Sequence, residues 1–306
     1  METSNLDSRI SIVIVSDYAA NAVKSWKVEE LMLKAFSRQT FKQPFEIILV
    51  DNEKYQENVP EHLYDIVPNL KIVFSSETQS AKLKDYGVTL SSGALVAVLE
   101  ADAPPCEDWL RILVEVLRTH PEVSVSTGKT SYGVENTYKR VLNLIDRSYD
   151  DLGKAGMSPY ISNNGALYRR SVLMGFPYPD AATPFLSSRL RNKLMRTAGH
   201  KFYFEPGAIT YHAIGGWRFI KDVRRNMGYS DMNTFSNRVG YRAIPSLMKR
   251  RWSKELSSCK RLASEYLRWW DWPLMIAMIV IIPFVEIPGM LDAVRKEKII
   301  EGTSYR

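Results

Sequence analysis

The first two thirds of the chain alternate short apolar runs with segments of helical periodicity. Strands are predicted where aliphatic and β-branched residues cluster, at Ile10–Ser16, Phe45–Val50, Leu70–Phe74, Ala94–Leu99 and Val123–Gly128. Helices are predicted where apolar residues recur at helical spacing, at Glu29–Phe36, Ser80–Ser91, Trp109–Arg118 and about Phe185–Ala198. Strands that alternate with helices predict an α/β domain, in which a mostly parallel sheet carries helices on both faces.

Two stretches between these elements have the composition of turns. Ser148–Pro159 is rich in Gly, Ser and Asp, and Phe176–Pro184 contains three prolines. We expect a loop at the first stretch and an irregular surface segment at the second.

The last third of the chain is patterned differently. From Leu247 to Trp270, apolar and aromatic residues recur at helical spacing and most basic residues occupy the other positions. This pattern is typical of an amphipathic helix on a membrane surface, and the alternative is a helix that packs on the preceding domain.

Trp272–Val285 then carries no charge, and after Glu286 the apolar run resumes to Leu291. Prolines within this run favour a bent or re-entrant membrane segment, with a single transmembrane helix as the alternative.

The net charge of +7 is concentrated in that last third. Residues 1–215 hold 24 Lys and Arg against 25 Asp and Glu, whereas residues 216–306 hold 17 against 9. Basic clusters at Lys249–Arg251 and Arg295–Lys298 flank the apolar run, which favours the cytoplasmic face of a membrane for both of its ends. Nucleic acid would explain the charge but not the apolar run, so we expect a membrane surface as partner and no nucleic acid.

Several function classes lose support from the sequence. Two cysteines make neither a disulfide framework nor a cysteine-rich zinc site, and no GxxxxGK[ST] or GxGxxG motif is present. The first residues lack a basic and an apolar segment, so we expect no secretory signal. The predicted domains are a catalytic α/β domain over 1–215 and a helical region over 216–306, with its membrane-associated segment at 272–291.

Acidic residues follow three of the predicted strands. Asp17, Asp51 and Asp102 each lie at or just after a strand end, where open parallel sheets bind their ligands. Glu100 and Asp102, two positions apart on extended backbone, point to the same side and would suit Mg²⁺ or Mn²⁺. The alternative is that such aspartates cap helices and turns.

The order of these motifs resembles glycosyltransferase family 2. The resemblance rests on Ser11-Ile-Val-Ile-Val-Ser, Ile47-Ile-Leu-Val-Asp-Asn, Gly87 to Gly93 before Val96-Ala-Val-Leu-Glu-Ala-Asp, Ile161-Ser-Asn-Asn-Gly-Ala-Leu-Tyr-Arg-Arg and Tyr203-Phe-Glu-Pro-Gly-Ala-Ile-Thr-Tyr-His. It covers roughly residues 9–215. It implies a GT-A fold and an inverting transfer of a sugar from a nucleotide-diphosphate donor to a hydroxyl of a lipid-linked or glycan acceptor.

The resemblance also implies how the donor is bound. Asp17 would shape the nucleotide pocket, and Asp51 would bind the base or ribose. Lys82 or Lys84 would lie near the diphosphate, unless both belong to a solvated helix face. Glu100 stands where the family commonly has the first Asp of its DxD motif.

The remaining implied roles concern the metal and the acceptor. Asp102 would be the principal ligand of Mn²⁺ or Mg²⁺, and His212 a further metal or diphosphate contact, unless it is a structural histidine. Asn163 and Asn164 would bind sugar hydroxyls, although Asn-Gly is also a common turn.

One departure from the family affects catalysis. Counting back from Arg189-Leu190, the family's Glu-Asp pair, which includes the general base, falls at Ala182-Thr183. Asp180 is the nearest carboxylate and is the predicted base, with a turn residue as the alternative. The departure also leaves a second interpretation of the whole chain, a catalytically impaired scaffold that binds nucleotide sugars at the membrane.

Overall fold

The computed structural model describes residues 9–16, 25–149, 151–214, 216–235 and 240–295. Its strands are β1 (Ile10–Val15), β2 (Phe45–Asn52), β3 (Leu70–Ser75), β4 (Leu95–Glu100), β5 (Val125–Ser131), β6 (Gly156–Ser158), β7 (Ala166–Arg169) and β8 (Phe202–Tyr211). Its α-helices are α1 (Lys27–Ser37), α2 (Ser80–Leu90), α3 (Trp109–Thr119), α4 (Thr137–Leu142), α5 (Arg170–Gly175), α6 (Pro184–Thr197), α7 (Trp217–Phe235), α8 (Ile244–Tyr266) and α9 (Trp272–Arg295). The turn of helix after α4, Asn143–Arg147, is a π-helix.

The eight strands form one mixed sheet in the order β3-β2-β1-β4-β7-β5-β8-β6. Strands β3, β2, β1 and β4 run parallel to one another, as do β5 and β8, while β7 and β6 pair antiparallel with their neighbours. The predicted α/β class with a mostly parallel sheet is confirmed. The predicted loop at 148–159 is wrong in part, because β6 lies within it and pairs with the edge of β8.

Alternation along the central strands produces the two helical layers. In β1, Ile12 and Ile14 pack into the apolar cluster that includes residues of α1 and α3. Val13 and Val15 point to the other face and pack with Leu83 of α2. Because neighbouring side chains on a strand point to opposite faces, a strand with apolar side chains on both faces needs a helix on each side.

Helices α7, α8 and α9 pack on this domain through a third apolar cluster. The cluster joins Leu144 and Ile145 of the π-helix to Val223 of α7, Leu262 of α8 and Ile282 of α9. Helix α9 is continuous through its two internal prolines, so the segment predicted to be bent or re-entrant is a single helix lying against α7. By length and composition, it is the one helix among the described residues that could cross a membrane.

Ion pairs of two buried carboxylates fix α9 to its neighbours. Glu286 of α9 is buried and lies 3.1 Å from Arg224 of α7 and 3.0 Å from Arg251 of α8. Asp292 lies 2.6 Å from Arg225 of α7. Removing α9 from this position would leave buried charges without their partners, which is strongly unfavourable.

The two helices approach closely where each has a glycine. A Cβ atom at Gly289 of α9 would lie 1.7 Å from the carbonyl oxygen of Arg225, and one at Gly228 of α7 would lie 2.1 Å from that of Glu286. Two backbones in direct contact leave no room for any side chain at these positions.

We expect Gly289→Ala to lower the melting temperature, because its Cβ would collide with rigid backbone and overpacking costs about 1–3 kcal/mol or more. Gly175→Ala is the matched control, since a Cβ there meets nothing within 4 Å. Circular dichroism melts of both variants measure the difference. Equal melting temperatures for the two would contradict this packing.

Candidate active site

A cavity of about 410 Å³ opens beyond the carboxyl end of β4. One part of its lining is polar and comes from the sheet edge, α2 and the π-helix: Ser80, Lys84, Glu100, Asp102, Asp146, Arg147, Asn163, Asn164 and His212. The other part is mainly apolar and comes from α6, α7 and the residues around them: Tyr149, Phe185, Ile214, Phe219, Val223 and Met227. The cavity therefore has a polar half and an apolar half.

Backbone pairing brings the two ends of the polar half together. The segment after β4 runs beside the end of β8, where the amide of Tyr211 donates to the carbonyl of Pro104 at 2.9 Å and that of Ala213 to Asp102 at 2.9 Å. This pairing places His212 beside Asp102, although 110 positions separate them in the sequence.

Glu100, Asp102 and His212 form a compact group of metal-ligand types, with one ligand atom from each lying within 4.8 Å of the others. His212 Nε2 lies 3.4 Å from Asp102 Oδ2, and its Nδ1 lies 2.6 Å from the carbonyl oxygen of Ala213. Because a carbonyl only accepts, Nδ1 must carry the proton. Nε2 is then the nitrogen oriented toward the carboxylates, as in histidines that bind metals.

The ligand atoms of this group suit a divalent cation. Asp102 Oδ1 is buried and has no hydrogen-bond partner among the described residues. Burial raises the pKa of Asp102, Glu100 raises it further and His212 opposes the shift. Two carboxylates and one imidazole are ligands that Mn²⁺ and Mg²⁺ accept, and a cation would give the unpartnered oxygen a partner.

Lys84 forms the second charged feature of the polar half. Its side chain is 3% exposed, and its Nζ lies 2.7 Å from Glu100 Oε1. Burial disfavours the ammonium, but the ion pair with Glu100 outweighs burial and raises the pKa of Lys84 to about 12. The polar half therefore holds a permanent positive charge next to the carboxylate cluster.

Two more polar groups in the cavity lining are buried without a partner among the described residues, Asn164 Nδ2 and Ser80 Oγ. Unpartnered buried donors are costly, and a bound ligand or water would give them a partner. Both donors can bind oxygen atoms of a sugar or a diphosphate.

Asp146 and Arg147, which the sequence analysis missed, belong to the polar half of the lining. Asp146 accepts from Arg224 at 2.6 Å and from the hydroxyl of Tyr132 at 2.5 Å. Burial opposes its charge, but Arg224 and Arg147 outweigh burial and lower the pKa of Asp146. The guanidinium of Arg147 lies 4.7 Å from the centroid of the Tyr132 ring. The sequence gives no local signal for Asp146, because its partner Arg224 lies 78 positions away in the chain.

The other predicted site residues lie elsewhere. Asp51 is buried at the end of β2, where it accepts from Ser16 at 2.7 Å, and it is not among the described residues that line the cavity. Lys82 and Asp180 also fall outside that lining and lie 3.3 Å from each other, with the Asp180 side chain 86% exposed. Asp17 is outside the described residues. The structure thus brings together Lys84, Glu100, Asp102, Asn163, Asn164 and His212, and the role of Asp180 stays a prediction.

Comparisons with known proteins support the family. Residues 25–175 match the family model described as glycosyl transferase family 2. The chain contains a glycosyltransferase family 2 domain. A search of curated protein sequences gave no match.

Solved structures of other proteins resemble this chain. The mannosyltransferase PcManGT from Pyrobaculum calidifontis, in complex with GDP-Man and Mn²⁺, superposes with a TM-score of 0.60 at 14% identity, covering 94% of this chain and 88% of its own. Residues 1–349 of S. aureus TarS, in complex with UDP-GlcNAc, give a TM-score of 0.48 at 13% identity, covering 94% and 91%. The fold is therefore that of the GT-A glycosyltransferases.

The ion pair between Lys84 and Glu100 leads to a stability prediction. We expect Lys84→Met to destabilise the fold by about 3–5 kcal/mol, because it breaks an ion pair whose lysine is almost fully buried. Lys71→Met is the control, since Lys71 is 59% exposed in its pair with Glu46 and exposed pairs contribute about 0–1 kcal/mol. Urea unfolding measures both. A loss no greater than that of the control would contradict the pairing.

Proposed function

We propose that this protein is a membrane-associated inverting glycosyltransferase that transfers a sugar from a nucleotide-diphosphate donor to a lipid-linked or glycan acceptor. The observation that carries the proposal is the group of Glu100, Asp102 and His212 beside the buried Lys84. A diphosphate leaving group develops negative charge. A cation held by carboxylates and a nearby ammonium group would both stabilise that charge. The Mn²⁺ and GDP-Man of PcManGT support the same donor class and cofactor.

Each polar residue has a part in this proposal. Glu100, Asp102 and His212 would hold Mn²⁺ or Mg²⁺, which when bound neutralises negative charge on the diphosphate. Lys84 and the amides of Asn163 and Asn164 would bind and orient the donor. The roles of Asp17 and Asp51 at the nucleotide, and of Lys82, rest on the family resemblance.

The outer face of α9 supports membrane association. Apolar residues at helical spacing are exposed along it: Trp272, Ile276, Val280, Ile281 and Phe284. Trp269, just before the helix, is 80% exposed, and tryptophans are enriched at membrane interfaces. Because the inner face carries the buried ion pair of Glu286 and the pair of Asp292 with the half-exposed Arg225, we propose that α9 lies in the plane of the membrane. The basic charge of the region favours the cytoplasmic face.

The position of the family's base favours a second candidate, the catalytically impaired scaffold. Thr183 occupies that position and caps α6, accepting from the amide of Leu186 at 3.1 Å. A scaffold would bind nucleotide sugars but neither hydrolyse nor transfer them.

A thermal-shift screen of nucleoside diphosphates and their sugars, with and without Mn²⁺, tests the proposed function. We expect at least one nucleotide to raise the melting temperature only with Mn²⁺, because a ligand that binds the native state stabilises it by mass action. Asp102→Asn should abolish that shift, and Asp65→Asn, at an exposed position, should keep it. A Mn²⁺-dependent shift that persists in Asp102→Asn would refute the cation site.

Flotation with vesicles that contain anionic lipid tests the membrane surface. We expect the full chain to float with the vesicles and an Ile276→Lys, Val280→Lys double variant to stay largely in solution, since the charges would lie on the apolar face of α9. Leu31→Lys, at an exposed apolar position on α1, is the control. Equal flotation of all three proteins would overturn the role of α9.

A further inference from the structure

Among the described residues, no carboxylate lines the cavity at the position where the family has its general base. Thr183, at that position, is buried, and its hydroxyl lies 3.2 Å from that of Ser230 in addition to capping α6. A threonine hydroxyl does not take up a proton at neutral pH. Asp180 is exposed, lies beside Lys82 and is not among the described residues that line the cavity.

The carboxylates that do line the cavity have other partners. Among the described residues these are Glu100, Asp102 and Asp146. The first two belong to the proposed cation group. Each oxygen of Asp146 accepts a short hydrogen bond, one from Arg224 and one from Tyr132. In the proposed site, all three carboxylates are therefore already engaged, two by the cation and one by Arg224 and Tyr132.

An acceptor that is already ionised needs no base. A sugar hydroxyl must lose its proton during the transfer, which is the task of a general base. A phosphate monoester has a second pKa of about 6, so at neutral pH its oxygens are mostly charged and ready to attack. The cavity lining also contains Arg147, and a guanidinium matches the oxygens of a phosphate.

The apolar half of the cavity indicates what carries that phosphate. Helix α7 presents Phe219, Val223 and Met227, one per turn, to the cavity. These three residues belong to the same apolar cluster as Met275 and Ile282 on the inner face of α9. Helix α7 therefore separates the acceptor half of the cavity from the helix whose outer face is apolar and exposed. An apolar chain fits this wall better than a second sugar does.

We propose that the acceptor is a lipid phosphate, a phosphate monoester on an apolar chain. This proposal rests on the proposed function and narrows its acceptor. A phosphate oxygen forms the bond to the anomeric carbon, the bond from that carbon to the donor's diphosphate oxygen breaks, and its electron pair leaves with the nucleoside diphosphate. No proton moves in this step. The dianionic phosphate becomes a monoanionic phosphodiester, and the nucleoside diphosphate leaves with one more negative charge than it had in the donor.

The test compares four acceptors, with the donor and Mn²⁺ found in the thermal-shift screen and the full chain in vesicles. Farnesyl phosphate has both the chain and the charge, farnesol only the chain, inorganic phosphate only the charge, and octyl glucoside offers sugar hydroxyls on an apolar chain. We expect transfer to farnesyl phosphate, giving a glycosyl phosphodiester visible by mass spectrometry, and no transfer to the other three. Faster transfer to farnesol or octyl glucoside than to farnesyl phosphate would overturn the proposal. Faster transfer to inorganic phosphate than to farnesyl phosphate would show that the acceptor needs no apolar chain, which would also overturn it.

Two sets of variants address the same question from the side of the protein. If Asp180 were the base, Asp180→Asn would slow transfer by about 10²–10⁴-fold, and that result would overturn the proposal. We expect instead a rate close to that of the unchanged protein. Val223→Ser and Met227→Ser should raise the KM for farnesyl phosphate about tenfold each and leave the KM for the donor unchanged. A donor-induced thermal shift shows that these variants are folded.

The two proposals can fail separately. If the protein binds no nucleotide sugar in the screen, both the proposed function and the proposed lipid phosphate acceptor are wrong. A protein that binds the donor and transfers its sugar to a hydroxyl acceptor would overturn the lipid phosphate alone.

Discussion

The antiparallel pairing between the segment after β4 and the end of β8 is the interaction on which the site depends. Three backbone hydrogen bonds hold the segments together: from Cys106 to Ile209 at 2.8 Å, and from Tyr211 to Pro104 and Ala213 to Asp102 at 2.9 Å each. Without these bonds, nothing in the backbone would hold Asp102, just after β4, next to His212, just after β8. Because these bonds belong to the backbone, side-chain changes around the cavity can alter its chemistry without separating the two ligands.

Arg224 connects the cavity to the apolar helix. It is fully buried in α7, and it contacts Asp146 in the cavity wall at 2.6 Å and Glu286 of α9 at 3.1 Å. A buried arginine needs such partners, because its charge cannot be desolvated alone. The same residue thus fixes the helix proposed to lie on the membrane and the wall proposed to receive the acceptor. Membrane contact and acceptor binding then share one rigid support.

The sequence allowed the central sheet and most of the polar half of the cavity to be predicted. Runs rich in β-branched residues, such as Ile10–Val15, can be recognised from local sequence alone, and the strand ends place Glu100 and Asp102 at the sheet edge. The sequence did not reveal Asp146 or the role of α7, because their partners lie far along the chain and carry no local signal. The base is the least predictable part: Asp180 is near the expected position in the sequence, yet its side chain faces solvent beside Lys82.

The central claim is that one cation binds between the end of β4 and His212. Pulsed electron paramagnetic resonance of Mn²⁺ tests it directly, in protein whose four histidines carry ¹⁵N and with a stabilising nucleoside diphosphate present. The account predicts a nitrogen hyperfine coupling typical of a directly bound histidine, and its loss in His212→Gln. Bound Mn²⁺ without that coupling, or a coupling that survives in His212→Gln, would contradict the account.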